Sequence, residues 1–283
     1  EGGAIFWNII YVDCPYGMGG TSTGSNDGSS SSNAGVFWTP IGYPGGNNIG
    51  NGQNGVPSGS SGNSDPVITE PIVSNQNSTP PCNDLKAMSV KYEFRQNLAT
   101  LKTQSSGQRE KMKFIYNDSP EYSPEITGNA DGSITLPPQT NQKITGYMHC
   151  HLEADIFDHL GVFTPEDMII FDDIAGFSNQ ASVKLTIYLV CKEGTFALKI
   201  NDPQKLLDFR NKMANDPAFN EKNFNYFSKK IKHNMPKDKQ IKLFLEYMAD
   251  NDVGVDLYEG NSTYTAWKKL SLDENNQVKR DDC

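Results

Sequence analysis

Apolar and polar positions change rhythm near residue 82. Before it, two apolar islands, residues 4–12 and 36–38, stand in long stretches of Gly, Ser and Asn. The first island is β-branched and aromatic and reads as a strand. The stretches around it, such as 24–32 and 45–52, hold too little apolar surface to offset chain entropy. They read as a flexible tether unless the strand docks on the domain or on a partner. From Asn83 the pattern becomes that of a folded domain. Leu85, Met88, Tyr92, Leu98 and Leu101 predict one helix to about Gln104, capped by Asn83 or Asp84 and stopped by Ser105-Ser106-Gly107. Residues 110–116 alternate as a strand, with Met112, Phe114 and Tyr116 on one face. A Pro-punctuated loop follows, then a turn at Asp131-Gly132 and a short edge at 134–136.

Residues 144–151 predict a strand, and a helix begins at Thr164. Residues 183–191 and 195–200 flank Lys192-Glu193-Gly194 as a hairpin. Helices are expected over 203–216 and 218–250, the second broken at Pro236. Residues 253–258 and 264–272 close the chain as a hairpin. The mixed order of helices and strands predicts an α+β domain, a mixed β-sheet with flanking helices, over 82–283. It is preceded by a low-complexity segment over 1–81.

Composition sharpens that division. The chain has 283 residues and a net charge of −9, and no Lys, Arg or His precedes Lys86. Residues 1–80 hold 16 of the 25 glycines and 7 of the 16 prolines. An acidic chain lacks the concentrated basic surface that displaces counterions from nucleic acid, so no nucleic-acid partner is expected. No apolar run reaches the length of a transmembrane helix. The first residues lack the charged and apolar regions of a signal peptide, and Glu1 in place of Met points to a processed or trimmed chain. An uncharged tail of this composition suggests a cell-envelope or secreted location. Cys82 and Cys283 bracket the domain and could bridge its ends; unpaired thiols are the alternative reading.

Three of the four histidines fall within eleven positions, His149, His151 and His159. On a strand, side chains two apart share a face, so His149 and His151 can present two imidazoles to one metal ion. A carboxylate would complete a three-ligand set with one open position, the usual arrangement for catalytic zinc. Asp167, in the first turn of the next helix, is placed to supply it. Thr164-Pro165-Glu166-Asp167 is equally a helix start, with Thr164 as cap, Pro165 at the first helical position and Asp167 complementing the dipole. Cys150 points to the opposite face and reads as a buried apolar side chain, and His159 as a solvated loop residue.

The string His149-x-His151, a loop, then Phe163-Thr164-Pro165-Glu166-Asp167 resembles the signature of JAB/MPN zinc metallopeptidases. The resemblance covers roughly residues 83–200 and implies a JAB/MPN-like sandwich with one zinc per chain. By position it implies His149, His151 and Asp167 as zinc ligands, Thr164 in place of the family's Ser, and Glu110 as general acid/base. The family pattern departs here in Thr for Ser, in Leu152 where Pro is common, and in a longer gap between His151 and Thr164. Glu121 and Glu125 are other carboxylates near Glu110 in sequence. The activity implied is hydrolysis of a peptide or isopeptide bond in a protein or peptide substrate.

The other reading is a non-catalytic surface or envelope binding protein that docks on a partner complex through its N-terminal strand. The lysines of 229–242 read as the solvated face of amphipathic helices packed through Phe224, Phe227, Ile231 and Phe244. A docking surface for an acidic partner is the alternative for that face.

Overall fold

A computed structural model describes residues 81–129, 134, 143–153, 160–177, 184–232 and 234–283. The N-terminal strand, the island at 36–38, the turn at 131–132 and His159 lie outside the described residues, as does the low-complexity segment up to residue 80.

The helical pattern after residue 82 resolves into two helices, α1 (Pro81–Ser89) and α2 (Tyr92–Gln104). The single helix expected there is interrupted because Lys91 is extended, with φ −71° and ψ 124°. Tertiary contacts fix the break: the indole Nε1 of Trp267 donates to Ser89 Oγ at 2.7 Å, and Arg95 donates to the Ser89 carbonyl at 2.5 Å. Val90 and Tyr92 are therefore exposed instead of continuing a buried stripe. The stop is where the sequence places it, with the Gly107 amide donating to the Gln104 carbonyl at 2.8 Å.

The strands are β1 (Lys111–Tyr116), β2 (Ile126–Thr127), β3 (Ile144–Cys150), β4 (Thr186–Cys191), β5 (Gly194–Ile200), β6 (Val255–Gly260), β7 (Trp267–Leu272) and β8 (Val278–Asp282). They form one eight-stranded sheet in the order β2-β1-β3-β4-β5-β6-β7-β8. Among the described residues only the β3–β4 pair is parallel, and α3 (Pro165–Phe177) lies in the connection between them. The remaining helices are α4 (Pro203–Asn215), α5 (Pro217–Lys230) and α6 (Lys237–Asp250). This is the expected α+β class with a mixed sheet. The two-residue β2 and the polar edge strand β8 extend the sheet beyond the predicted elements.

Alternation along the strands assigns the two faces of the sheet to two cores. Tyr147, Ile187, Leu189, Phe196, Leu198 and Leu257 pack with residues of α3, α4, α5 and α6. Met148, Cys150, Tyr188, Val190, Ala197 and Tyr258 pack with Leu85, Phe94, Leu98 and Leu101 from α1 and α2. A strand covered on both sides loses its polar alternation, which is why β4 is buried at every position. At Gly146 an added Cβ would lie 2.0 Å from the Thr186 carbonyl oxygen, so the parallel pair closes only over glycine. The two ends of the domain are joined by a Cys82–Cys283 disulfide, with Cα atoms 5.1 Å apart.

Candidate metal centre

The site is built where β3 ends and α3 begins, at the carboxyl end of a parallel strand pair where open α/β sheets commonly place ligands. His149 is the penultimate residue of β3. The pairing runs one step beyond the strand, with the His151 amide donating to the Val190 carbonyl at 3.0 Å. Period-two geometry puts both imidazoles on the α3 face, and Cys150 on the other, fully buried. That burial pushes the Cys150 thiol up to about 12, with the nearby Glu110 and Glu125 charges adding to it.

Asp167 arrives from the helix. Thr164 caps α3: its backbone N–H donates to Asp167 Oδ2 at 2.8 Å, its hydroxyl donates to the same oxygen at 3.1 Å, and its Oγ1 faces the Asp167 N–H at 3.4 Å. This reciprocal pairing is a capping box with Asp in the place usually held by Glu. The two readings of Thr164–Asp167 are therefore one structure, since the cap that starts the helix also turns the carboxylate towards the strand.

The three side chains converge. His149 Nε2 and His151 Nε2 are 3.3 Å apart, Asp167 Oδ1 is 3.1 Å from His149 Nε2, and Asp167 Oδ2 is 3.5 Å from His151 Nε2. All three residues are buried, with relative exposures of 3%, 5% and 8%. A tetrahedral ion with bonds of about 2.0–2.1 Å sets its ligand atoms roughly 3.3–3.4 Å apart; the two distances that meet at His149 Nε2, 3.3 and 3.1 Å, lie near that value, while His151 faces the other carboxylate oxygen. The group could hold a metal ion.

The surroundings complete the fit. His151 Nδ1 lies 2.9 Å from the Leu160 carbonyl oxygen. A carbonyl only accepts, so Nδ1 carries a proton, and whenever the ring is neutral its Nε2 lone pair turns to the site. His149 Nδ1 is buried without a hydrogen-bond partner. Burial works against charge on His151, but the bond to Asp167 and the charges of Asp167 and Glu110 outweigh it and lift its pKa to about 9. Burial likewise disfavours the Asp167 carboxylate, yet the facing imidazoles hold its pKa well below the usual carboxylate range. A cation bound here would compete with protons for the same nitrogen and oxygen atoms.

Glu110 immediately precedes β1 and is 8% exposed. The β1–β3 register pairs Met112 with His149. Two residues further in each direction, Glu110 stands opposite His151 on the same face, and its charge is felt by both His151 and Tyr147. Glu121 and Glu125 are committed elsewhere, to Lys91 and to Lys111 (3.0 Å). Sequence reasoning missed two supports. Tyr147 donates its hydroxyl to the Asp167 carbonyl at 3.3 Å; its position two residues before His149 carried that signal. The Leu160 carbonyl is a backbone atom, and no residue type announces it.

Comparison of the chain with protein-family models, curated proteins and solved structures finds no match in any of the three.

Proposed function

We propose that this chain is a zinc-dependent hydrolase that cleaves a peptide or isopeptide bond, with His149, His151 and Asp167 as the metal ligands. The observation that carries the reading is the buried convergence of two imidazoles at the end of β3 and one helix-cap carboxylate, with facing N and O atoms 3.1–3.5 Å apart. The likeness of His149-x-His151 and Thr164-x-x-Asp167 to JAB/MPN metallopeptidases supports the same reaction class. When bound, the cation supplies Lewis acidity and a water acidified towards neutral pH.

The chain's own residues supply the rest. Glu110, beside His151 on the same face of the sheet, receives the proton of the attacking water and returns it to the departing amine. Thr164 donates its hydroxyl to the oxygen of the carbonyl under attack. To do so it turns away from Asp167 Oδ2, which stays fixed by the Thr164 backbone N–H at 2.8 Å. The Cys82–Cys283 bridge supports an oxidising, extracytoplasmic compartment for this activity.

Metal analysis and hydrolysis assays test the proposal together. The protein is expected to carry one zinc per chain, lost in His149→Ala, and to cleave unstructured or isopeptide-linked peptides. Glu110→Gln should keep the zinc and lose at least about 100-fold in turnover, the usual range for a general acid/base. A protein that binds no zinc, or a Glu110→Gln variant with undiminished turnover, overturns it.

A further inference from the structure

Gln240, in the first turn of α6, lies far from the ligands in sequence and is fully buried. Its carboxamide Oε1 accepts the Gly161 N–H at 2.9 Å, and its Nε2 donates to the Met235 carbonyl at 3.0 Å. An N–H can only donate and a carbonyl can only accept, so these two partners fix which way the carboxamide points. The Gly161 N–H belongs to the same peptide unit as the Leu160 carbonyl, and that carbonyl is the one facing His151 Nδ1 at 2.9 Å. One peptide plane is therefore gripped at both ends, by Gln240 on its N–H and by His151 on its C=O.

Glu193, in the β4–β5 turn, lies over Gly161, its carboxylate 2.4 Å from where an added Cβ would stand. The plane is thus packed on one side by the β4–β5 turn and held on the other by α6.

We propose that Gln240 is a positioning residue for the metal centre: through the Leu160–Gly161 peptide it fixes the ring orientation that aims His151 Nε2 at the cation. The proposal rests on the metal-site reading above. A hydrogen bond donated by the N–H of a peptide strengthens the acceptor character of its carbonyl, because the two are joined by resonance. Partners that orient a ligating histidine typically change metal affinity by about 10–100-fold. Gln240 acts one bond further out, and roughly tenfold is expected.

Cobalt(II) and zinc titrations of the full chain test this with two variants. Gln240→Met keeps the volume and removes both polar contacts; it should bind about tenfold more weakly and shift the His151 Nδ1–H resonance in the metal-free protein. Gln240→Glu restores the acceptor for Gly161 and should return affinity to within about threefold of the parent. Parental affinity and an unmoved resonance in Gln240→Met overturn the assignment, as does a folded Gln240→Glu that binds as weakly as the methionine variant is expected to. If Gln240→Met does not fold, Gln240→Asn, whose shorter carboxamide does not reach the Gly161 N–H, takes its place, with the same roughly tenfold loss expected and parental affinity overturning the assignment. A parent protein that binds neither metal defeats the metal-site reading itself, whereas a parent that binds and an indifferent Gln240 defeat only this inference.

Discussion

Asp167 carries two duties that are usually separate. Its Oδ2 satisfies an orphan N–H at the start of α3, while its Oδ1 faces His149 at 3.1 Å. The duties can be separated by substitution, because the backbone N–H of Thr164 aims the carboxylate even when the hydroxyl is gone. Thr164→Val is expected to cost about 1 kcal/mol of stability, the ordinary value of a lost cap hydroxyl, while zinc stoichiometry remains one per chain. Asp167→Asn should show the converse, retaining an acceptor for the cap and losing stoichiometric zinc. Thermal unfolding and metal analysis on both variants check the pair. Zinc lost from Thr164→Val would mean that the hydroxyl, and not the N–H, holds the carboxylate in place.

Elements are tied together here by charge as well as by apolar packing. Glu259 on β6 receives Lys237 from the start of α6 and Arg280 from β8 at 2.6 Å, and Arg280 also reaches Asp238. Partial burial would raise the Glu259 pKa, but the two cations outweigh it and hold it below the ordinary value. A carboxyl depressed on folding stabilises above its unfolded pKa of about 4.3, and that stability is lost as pH falls through the folded value. Glu259→Gln is therefore expected to lower stability at pH 7 by roughly 1.5–3 kcal/mol. The gap to the parent should narrow steadily below about pH 4.3, as urea unfolding at a series of pH values would show. Elements with strong apolar periods, such as β3, β4, β5, α4 and α6, were legible in the sequence for the same reason that they are buried. The terminal strand β8 was not, because Val278-Lys279-Arg280-Asp281-Asp282 is an edge, and edges are kept polar to resist further pairing. The α1–α2 break escaped notice because a hydrogen bond from Trp267, distant in sequence, sets it. At the site, His149, His151 and Asp167 were legible because spacing alone puts imidazoles on one strand face and a carboxylate in a first helical turn. The Leu160 carbonyl and Gln240 had no such local signal.

The whole described domain is closed by a covalent link across a sequence separation of 201 residues, from α1 to the residue after β8. Near this seam, Trp267 reaches Ser89, the Cys283 N–H donates to the Trp267 carbonyl at 3.1 Å, and Lys199 meets Asp84 at 3.0 Å. Lys199 is only 1% exposed, and burial pulls its pKa down against the pull of Asp84. Helix α1 is thus held on the sheet by one covalent and several polar attachments around the apolar contacts of Leu85 and Met88. A cross-link that closes so long a loop stabilises chiefly by restricting the unfolded chain, by about 2–5 kcal/mol. Cys82→Ser with Cys283→Ser should lower the unfolding free energy by that amount in an otherwise folded protein, read as a lower urea midpoint. The metal centre lies on the α3 face of the sheet and the bridge on the α1–α2 face, so zinc affinity should be unchanged by the same double substitution. An unchanged midpoint would show that the polar seam alone holds the ends together. A fall in zinc affinity would show instead that the α1–α2 layer supports the site through the sheet, which is the coupling that the separation of the two cores argues against.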